Sequence, residues 1–305
     1  MKTNKRRFRS RFFSRRARRR RLRYVTILPT LVTLANGVLG FAAIGLAAKG
    51  PEHFAAAGYM IFAAMVADML DGRLARMSHS TSSFGGQLDS LCDVISFGAA
   101  PAFLSLKLMF NSLPVLLSPS VALLADFAQR LIWLASAVYL CCTAVRLARF
   151  NVENVEDETA HMSFTGLPAP AAAGVVASMV VLHQHLATDP ARETLLFEVG
   201  RFAVLYLLPL ALIGLAALMV SRIRYPHIIN QYLRGKKPIT HLLWAAVLLG
   251  MIYLCGLQMA ATIVFAGFAL SGFIKWLWYY TTIGRLLGHK PLALTESDIT
   301  TNERP

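Results

Sequence analysis

Four carboxylates that lie close together along the chain are the residues best suited to chemistry. Asp68 and Asp71 are three residues apart near the end of one apolar segment, and Asp89 and Asp93 are four apart near the start of the next. On a helix, residues at these spacings share a face. Such carboxylates need a counter-charge, and all-oxygen ligation suits Mg²⁺ or Mn²⁺, which also bind phosphate oxygens. The spacing therefore predicts a divalent metal site formed by Asp68, Asp71, Asp89 and Asp93.

Two other readings of these acids are open from the residues alone. They can form salt bridges with Arg73 and Arg76 or cap helix ends at the membrane interface. Acids buried in membrane helices also serve as relays in cation transporters. A transporter should show inverted internal repeats and acids at the membrane midplane, and the sequence displays neither.

The residues around the acids follow a longer pattern, D-x-x-D-G-x-x-A-R-x8-G-x3-D-x3-D, with eight fixed residues across 26 positions. This pattern resembles the signature of the CDP-alcohol phosphotransferase family at every position. The resemblance implies that the four aspartates hold the metal and that Asp93, the last of them, is the general base. It also implies a site for the CDP moiety, formed by Gly72, Ala75, Arg76 and Gly85.

Segments flanking the signature point to the acceptor alcohol. The stretch from Gly85 to Pro101, GGQLDSLCDVISFGAAP, resembles the bacterial and archaeal phosphatidylserine synthases of this family. So do the segments 146–151 and 164–171 and the opening LPTLVTLANG at residues 28–37. The resemblance implies transfer of a phosphatidyl group from CDP-diacylglycerol to L-serine, with CMP as the second product. Choline, glycerol phosphate or inositol remain alternative acceptors.

Serine brings a carboxylate, an ammonium and a hydroxyl, so its pocket needs a cation or amide donors. Arg146 and Arg149 lie at the predicted cytoplasmic end of one span and are candidates for binding the serine carboxylate or the lipid phosphate. Thr33 and Asn36 in the first span are further candidates for polar contacts to substrate. Arginines at a membrane interface also serve as topology anchors, and polar residues often bond a neighbouring helix.

The elements that position these residues are predicted to be membrane helices. The chain of 305 residues is 56% hydrophobic and only 15% charged. About 20 apolar residues cross the hydrocarbon core, and such stretches recur along the chain. The predicted fold is an all-α, polytopic transmembrane bundle of about eight spans, a six-helix core plus a C-terminal helical pair. The spans are 27–48, 54–76, 84–107, 122–149, 167–187, 200–220, 241–256 and 258–279.

Charge gives the predicted orientation and domain organisation. Of the 31 Lys and Arg residues, 13 lie between Lys2 and Arg23, so the net charge of +15 belongs mainly to a tail. Short loops rich in Lys and Arg face the cytoplasm, which places both termini and the acids inside, in a bacterial-type cytoplasmic membrane. The predicted parts are a basic tail (1–24), the CDP-alcohol phosphotransferase core (25–220), a basic loop (221–240), a helical pair (241–280) and a C-terminal tail (281–305).

The basic tail has two interpretations. It can lie on anionic lipid headgroups, which are adjacent in any case. It can instead contact nucleic acid, which would make the chain a membrane anchor for nucleic acid. Deletion of residues 1–23 would distinguish such an anchor from an enzyme, because the anchor depends on the tail alone. The lipid interpretation is favoured and nucleic acid is not an expected partner. The sequence leaves a homodimer open.

Overall fold

The described residues are helical almost throughout and contain no strand. The computed structural model describes residues 28–78, 83–116, 122–156, 166–188, 195–221, 223 and 238–287. The helices are α1 (Leu28–Lys49), α2 (Phe54–Ser78), α3 (Ser83–Asp93), α4 (Ala100–Leu116), α5 (Ala122–Glu156), α6 (Ala169–Thr188), α7 (Leu195–Val220) and α8 (Pro238–Leu287). The basic tail 1–24, most of the loop 221–240 and residues 288–305 lie outside the described residues.

Seven segments of the described residues are long and apolar enough to cross a membrane. Six of them overlap the first six predicted spans, which confirms a polytopic helical bundle and makes the chain a multi-pass membrane protein. The seventh, Gly256–Lys275, overlaps the last predicted span. The predicted span 241–256 forms the first part of α8 and is not among the seven. At Gly256 the backbone leaves helical geometry, with φ 80° and ψ 158°, where the sequence predicts a tight turn.

Helix α6 forms the centre of the bundle. It is rich in alanine and valine, and nearly all its side chains are buried against α2, α7 and α8. Small residues let membrane helices approach closely, and a helix that is apolar on all sides belongs in a core. Gly166, just before α6, has φ 89°, and a Cβ atom there would collide with the Met219 carbonyl oxygen. This turn fixes the start of α6 against the end of α7.

The third span consists of three pieces that together position the acidic residues. Helix α3 ends at Asp93, a π-helical turn covers Val94–Ala99, and α4 continues the span. Single π-helical turns occur often at functional sites. The buried Tyr139 hydroxyl of α5 donates a hydrogen bond of 3.0 Å to the Phe97 carbonyl oxygen within this turn. Helix α5 thereby holds the turn that follows Asp93.

Candidate active site

Three of the four predicted metal ligands come together in the structure. Asp68 and Asp71 lie late in α2, Asp89 lies in α3, and one carboxylate oxygen from each lies within 4.8 Å of the others. Asp71 is buried, and the other two are half-buried. Asp93, one helical turn beyond Asp89, is not a member of this group. Its assignment as a fourth ligand therefore stays a prediction.

The carboxylate group has unused acceptor atoms. Asp71 Oδ2 and Asp89 Oδ1 are buried, and neither has a hydrogen-bond partner among the described residues. Buried polar atoms are nearly always paired, so two orphaned oxygens beside a third carboxylate fit a site that binds a cation. The oxygen-only donor set fits a hard divalent ion such as Mg²⁺ or Mn²⁺.

Salt bridges do not explain these acids within the described part of the chain. Arg73 is exposed and forms no ion pair with any described side chain there. The backbone of Arg76 belongs to α2, but the position of its side chain lies outside the described part of the structure, as does that of Ala75. The two roles predicted for Ala75 and Arg76 in binding the CDP moiety stay predictions.

The two glycines predicted to make room for the nucleotide flank the carboxylates. A Cβ atom placed on Gly72 would meet nothing within 4 Å, so the space beside Asp71 is open. Gly85 is half-buried in α3, one turn before Asp89. Open space next to the carboxylate oxygens is a requirement for any phosphate-bearing ligand that shares the metal.

Asp93 faces the first helix. Asn36 of α1 is fully buried, and its Nδ2 donates a hydrogen bond of 2.9 Å to Asp93 Oδ1. Thr33, one turn earlier, is also buried and lies beside Asp71, while its hydroxyl donates to the Pro29 carbonyl oxygen at 3.0 Å. Both polar positions that the sequence singles out on α1 therefore face the aspartates. Whether they also contact substrate stays a prediction.

Arg146 is placed to act on a ligand at this site. It lies in α5, interacts electrostatically with Asp93, and its buried Nε has no hydrogen-bond partner among the described residues. Arg149, one turn further on, is half-buried and already makes an interaction. Of the two predicted arginines, Arg146 thus has the unused donor next to the predicted base.

Two residues that the sequence did not single out join the site to α5. The Ser90 hydroxyl, between Asp89 and Asp93, lies 3.1 Å from both Asn151 Oδ1 and the Gly86 carbonyl oxygen and can donate its one proton to either. Both residues belong to segments that resemble the family, which is the signal that could have found them. The bond ties the active-site helix to the end of α5 that carries Arg146.

Comparison with known proteins agrees with the site. The family model for CDP-alcohol phosphatidyltransferase matches residues 26–207. A CDP-diacylglycerol–serine O-phosphatidyltransferase of Helicobacter pylori strain 26695 is 31% identical over 259 residues, 84% of this chain and 94% of the relative. Enzymes of the same name from Methanocaldococcus jannaschii (30% identical; 69% of this chain, 79% of the relative) and Bacillus subtilis (28%; 66% and 90%) also match. With the predicted signature in place and more than half its length matched, the chain belongs to the CDP-alcohol phosphatidyltransferase family.

Proposed function

We propose that the chain transfers the phosphatidyl group of CDP-diacylglycerol to the hydroxyl of L-serine, giving phosphatidylserine and CMP. The observation that carries the proposal is the group of three carboxylates with two orphaned oxygens, located beside open space on a membrane helix pair. The names of the relatives supply the acceptor, since those from Helicobacter, Methanocaldococcus and Bacillus are all serine O-phosphatidyltransferases.

Asp68, Asp71 and Asp89 would hold Mg²⁺ or Mn²⁺, with Asp93 as the predicted further ligand. A bound divalent ion supplies positive charge that neutralises the diphosphate and stabilises the departing CMP. The chain itself supplies open space beside Gly72 for the CDP moiety, and Ala75, Arg76 and Gly85 are assigned to the same part of the site. Low dielectric around the buried Asp71 strengthens these electrostatic interactions.

Asp93 would act on the acceptor. Its carboxylate takes the proton of the serine hydroxyl while the hydroxyl oxygen attacks the β-phosphorus of CDP-diacylglycerol. A new oxygen–phosphorus bond forms, the bond from that phosphorus to the bridging oxygen breaks, and CMP leaves with the electron pair. Asn36 donates a hydrogen bond to Asp93 Oδ1. The other carboxylate oxygen, Oδ2, is assigned to receive the proton.

The proposal is tested by purified protein supplied with CDP-diacylglycerol and one alcohol at a time: serine, glycerol phosphate, inositol, choline or ethanolamine. We expect CMP release and labelled lipid with serine, weak release with ethanolamine, which lacks the serine carboxylate, and only background with the others. Preferential use of any other alcohol would replace serine as the acceptor while leaving the chemistry intact. No CMP release with any of them would overturn the proposed function.

Arg146 is assigned to the serine carboxylate. Arg146→Ala should raise the KM for serine by roughly 10-fold or more, because a charge-assisted hydrogen bond contributes about 1.5–3 kcal/mol. Ethanolamine is serine without its carboxylate, so weak turnover of ethanolamine should be unaffected by the same change. Steady-state kinetics with both alcohols measures the difference.

Arg201→Ala is the matched control for Arg146→Ala. Arg201 lies on α7, 3.9 Å from Glu198, near the end of the bundle opposite the acids. The Arg201→Ala substitution should leave the KM for serine unchanged. Equal losses with serine and ethanolamine in Arg146→Ala would instead assign this arginine to the lipid phosphate or to packing.

The acids and both termini are assigned to the cytoplasmic side of a bacterial-type cytoplasmic membrane, with the basic tail on anionic headgroups. In a background lacking the native cysteines, cysteines at Ser80 and Thr188 should react with impermeant reagent from opposite sides of sealed vesicles. Ser80 lies outside the described residues, and Thr188 ends α6. Labelling of both from one side would contradict the orientation.

A third cysteine at Ser297 decides how often α8 crosses. The two termini lie on the same side of the membrane only if α8 crosses twice, once before and once after Gly256. In that case Ser297 should label from the same side as Ser80. Labelling from the side of Thr188 would establish seven crossings.

A further inference from the structure

Helix α1 approaches the segment that carries Asp93 unusually closely. A Cβ atom on Gly37 would lie 2.9 Å from Cys92 Sγ, and one on Gly40 would lie 2.6 Å from the Cα atom of Ser96. Real Cβ atoms do not come so near, so glycine is required at position 40, where the neighbour is backbone, and a Cβ atom at position 37 would displace the Cys92 side chain. The two glycines place the backbone of α1 directly against the end of α3 and the π-helical turn that follows.

Asn36, next to Gly37, uses this close approach to reach the carboxylate. Its side chain is fully buried and donates through Nδ2 to Asp93 Oδ1 at 2.9 Å, a contact between residues 57 apart in sequence. This bond holds one of the two carboxylate oxygens of Asp93. A hydrogen bond to an ionised acceptor is stronger than one between neutral groups, and it fixes the rotamer of the carboxylate.

A second hydrogen bond joins the same two segments without touching the carboxylate. The Ser96 hydroxyl donates to the backbone carbonyl oxygen of Asn36 at 2.8 Å. The Ser96 side chain thus bonds only the backbone of Asn36, whereas the Asn36 side-chain amide bonds the Asp93 carboxylate. The two bonds allow packing of α1 to be separated experimentally from orientation of Asp93.

We propose that Asn36 is a positioning residue that orients the Asp93 carboxylate for proton transfer. The inference rests on the proposed function, since it takes Asp93 to be the general base. Misplacement of a reacting group by about 1 Å can cost on the order of 10²-fold in rate. An aspartate freed from its amide partner loses that alignment, while the metal ligands Asp68, Asp71 and Asp89 keep their places.

Asn36→Leu tests the proposal, because leucine has nearly the same size and removes only the polar atoms. We expect kcat to fall by roughly 10-fold or more, with the KM values for serine and CDP-diacylglycerol changed less than about twofold. Thermal unfolding in detergent and binding of CDP-diacylglycerol by calorimetry establish that the variant is folded.

Two comparisons sharpen the result. Ser96→Ala removes a buried hydrogen bond from the same helix contact and should leave kcat within about twofold of wild type, because it does not reach Asp93. Asn36→Leu combined with Asp93→Asn should be no slower than Asp93→Asn alone, since groups that act as a unit are not additive.

Three results would overturn the inference. An unchanged kcat in Asn36→Leu would show that Asp93 needs no such support, and a raised KM for serine with unchanged kcat would make Asn36 a substrate contact. An equal loss of kcat in Ser96→Ala would mean that Asn36 contributes only to the packing of α1. Each of these three results leaves the proposed function standing. A wild-type protein that transfers phosphatidyl to no alcohol would instead overturn both the proposed function and the inference about Asn36.

Discussion

Asp93→Asn is expected to lower phosphatidyl transfer to serine by at least about 10²-fold, the usual contribution of a general base. The substitution keeps the shape of the side chain, and its amide oxygen can still accept the hydrogen bond from Asn36 Nδ2. Basicity is the property that is lost. Initial rates of CMP release at saturating serine and CDP-diacylglycerol measure the effect.

Binding of CDP-diacylglycerol distinguishes a base from a metal ligand. Asp93 is not a member of the group formed by Asp68, Asp71 and Asp89, so calorimetry should show much smaller losses of lipid binding for Asp93→Asn than for Asp71→Asn. If the two variants lost lipid binding equally, the base assignment would be withdrawn and Asp93 would be a fourth metal ligand only.

Removal of divalent metal is expected to abolish turnover, and Mg²⁺ or Mn²⁺ should restore it. Three carboxylates with two orphaned buried oxygens repel one another without a cation, and a hard ion satisfies them together. The measurement is transfer activity after chelation and dialysis, followed by titration with each ion. Full turnover in metal-free buffer would refute the metal site.

Asp71→Asn should weaken metal binding itself, by more than about 10-fold, because it removes a buried ligand atom from the group. Mn²⁺ binding followed by electron paramagnetic resonance reads this directly, without reference to activity. Asp126→Asn is the matched control, since Asp126 is exposed near the start of α5, far along the bundle from the acids. Equal Mn²⁺ affinity in wild type and Asp71→Asn would exclude Asp71 as a ligand.

The membrane helices and the acidic group were predictable because both depend on local patterns. Apolar stretches long enough to cross the hydrocarbon core have few structural alternatives, since lipid cannot satisfy an open backbone. Spacings of three and four residues place side chains on one face of a helix whatever surrounds it. A connection of a few residues between α2 and α3 then brings Asp68, Asp71 and Asp89 together.

The C-terminal region shows where local pattern became insufficient. The sequence separates 241–256 from 258–279 by a tight turn, and the structure breaks α8 at Gly256 as expected. Within the described residues, the structure nevertheless contains seven segments long and apolar enough to cross a membrane, where about eight were predicted. Hydropathy identifies apolar stretches. Whether a short stretch beside a helix break crosses the membrane depends also on how neighbouring helices pack against it, and the hydropathy pattern does not contain that information.

Hydropathy and residue spacing were sufficient to predict a multi-pass helical protein with a carboxylate cluster and the signature of its family. Helix packing alone brings Asn36 to Asp93 and Ser90 to Asn151, and it places oxygens of Asp68, Asp71 and Asp89 within 4.8 Å of one another without including Asp93. These contacts join residues 57 and 61 positions apart, so no helical period encodes them. The contact between Asn36 and Asp93 depends on how closely α1 approaches the end of α3 at Gly37 and Gly40, and this approach arises only when the helices pack.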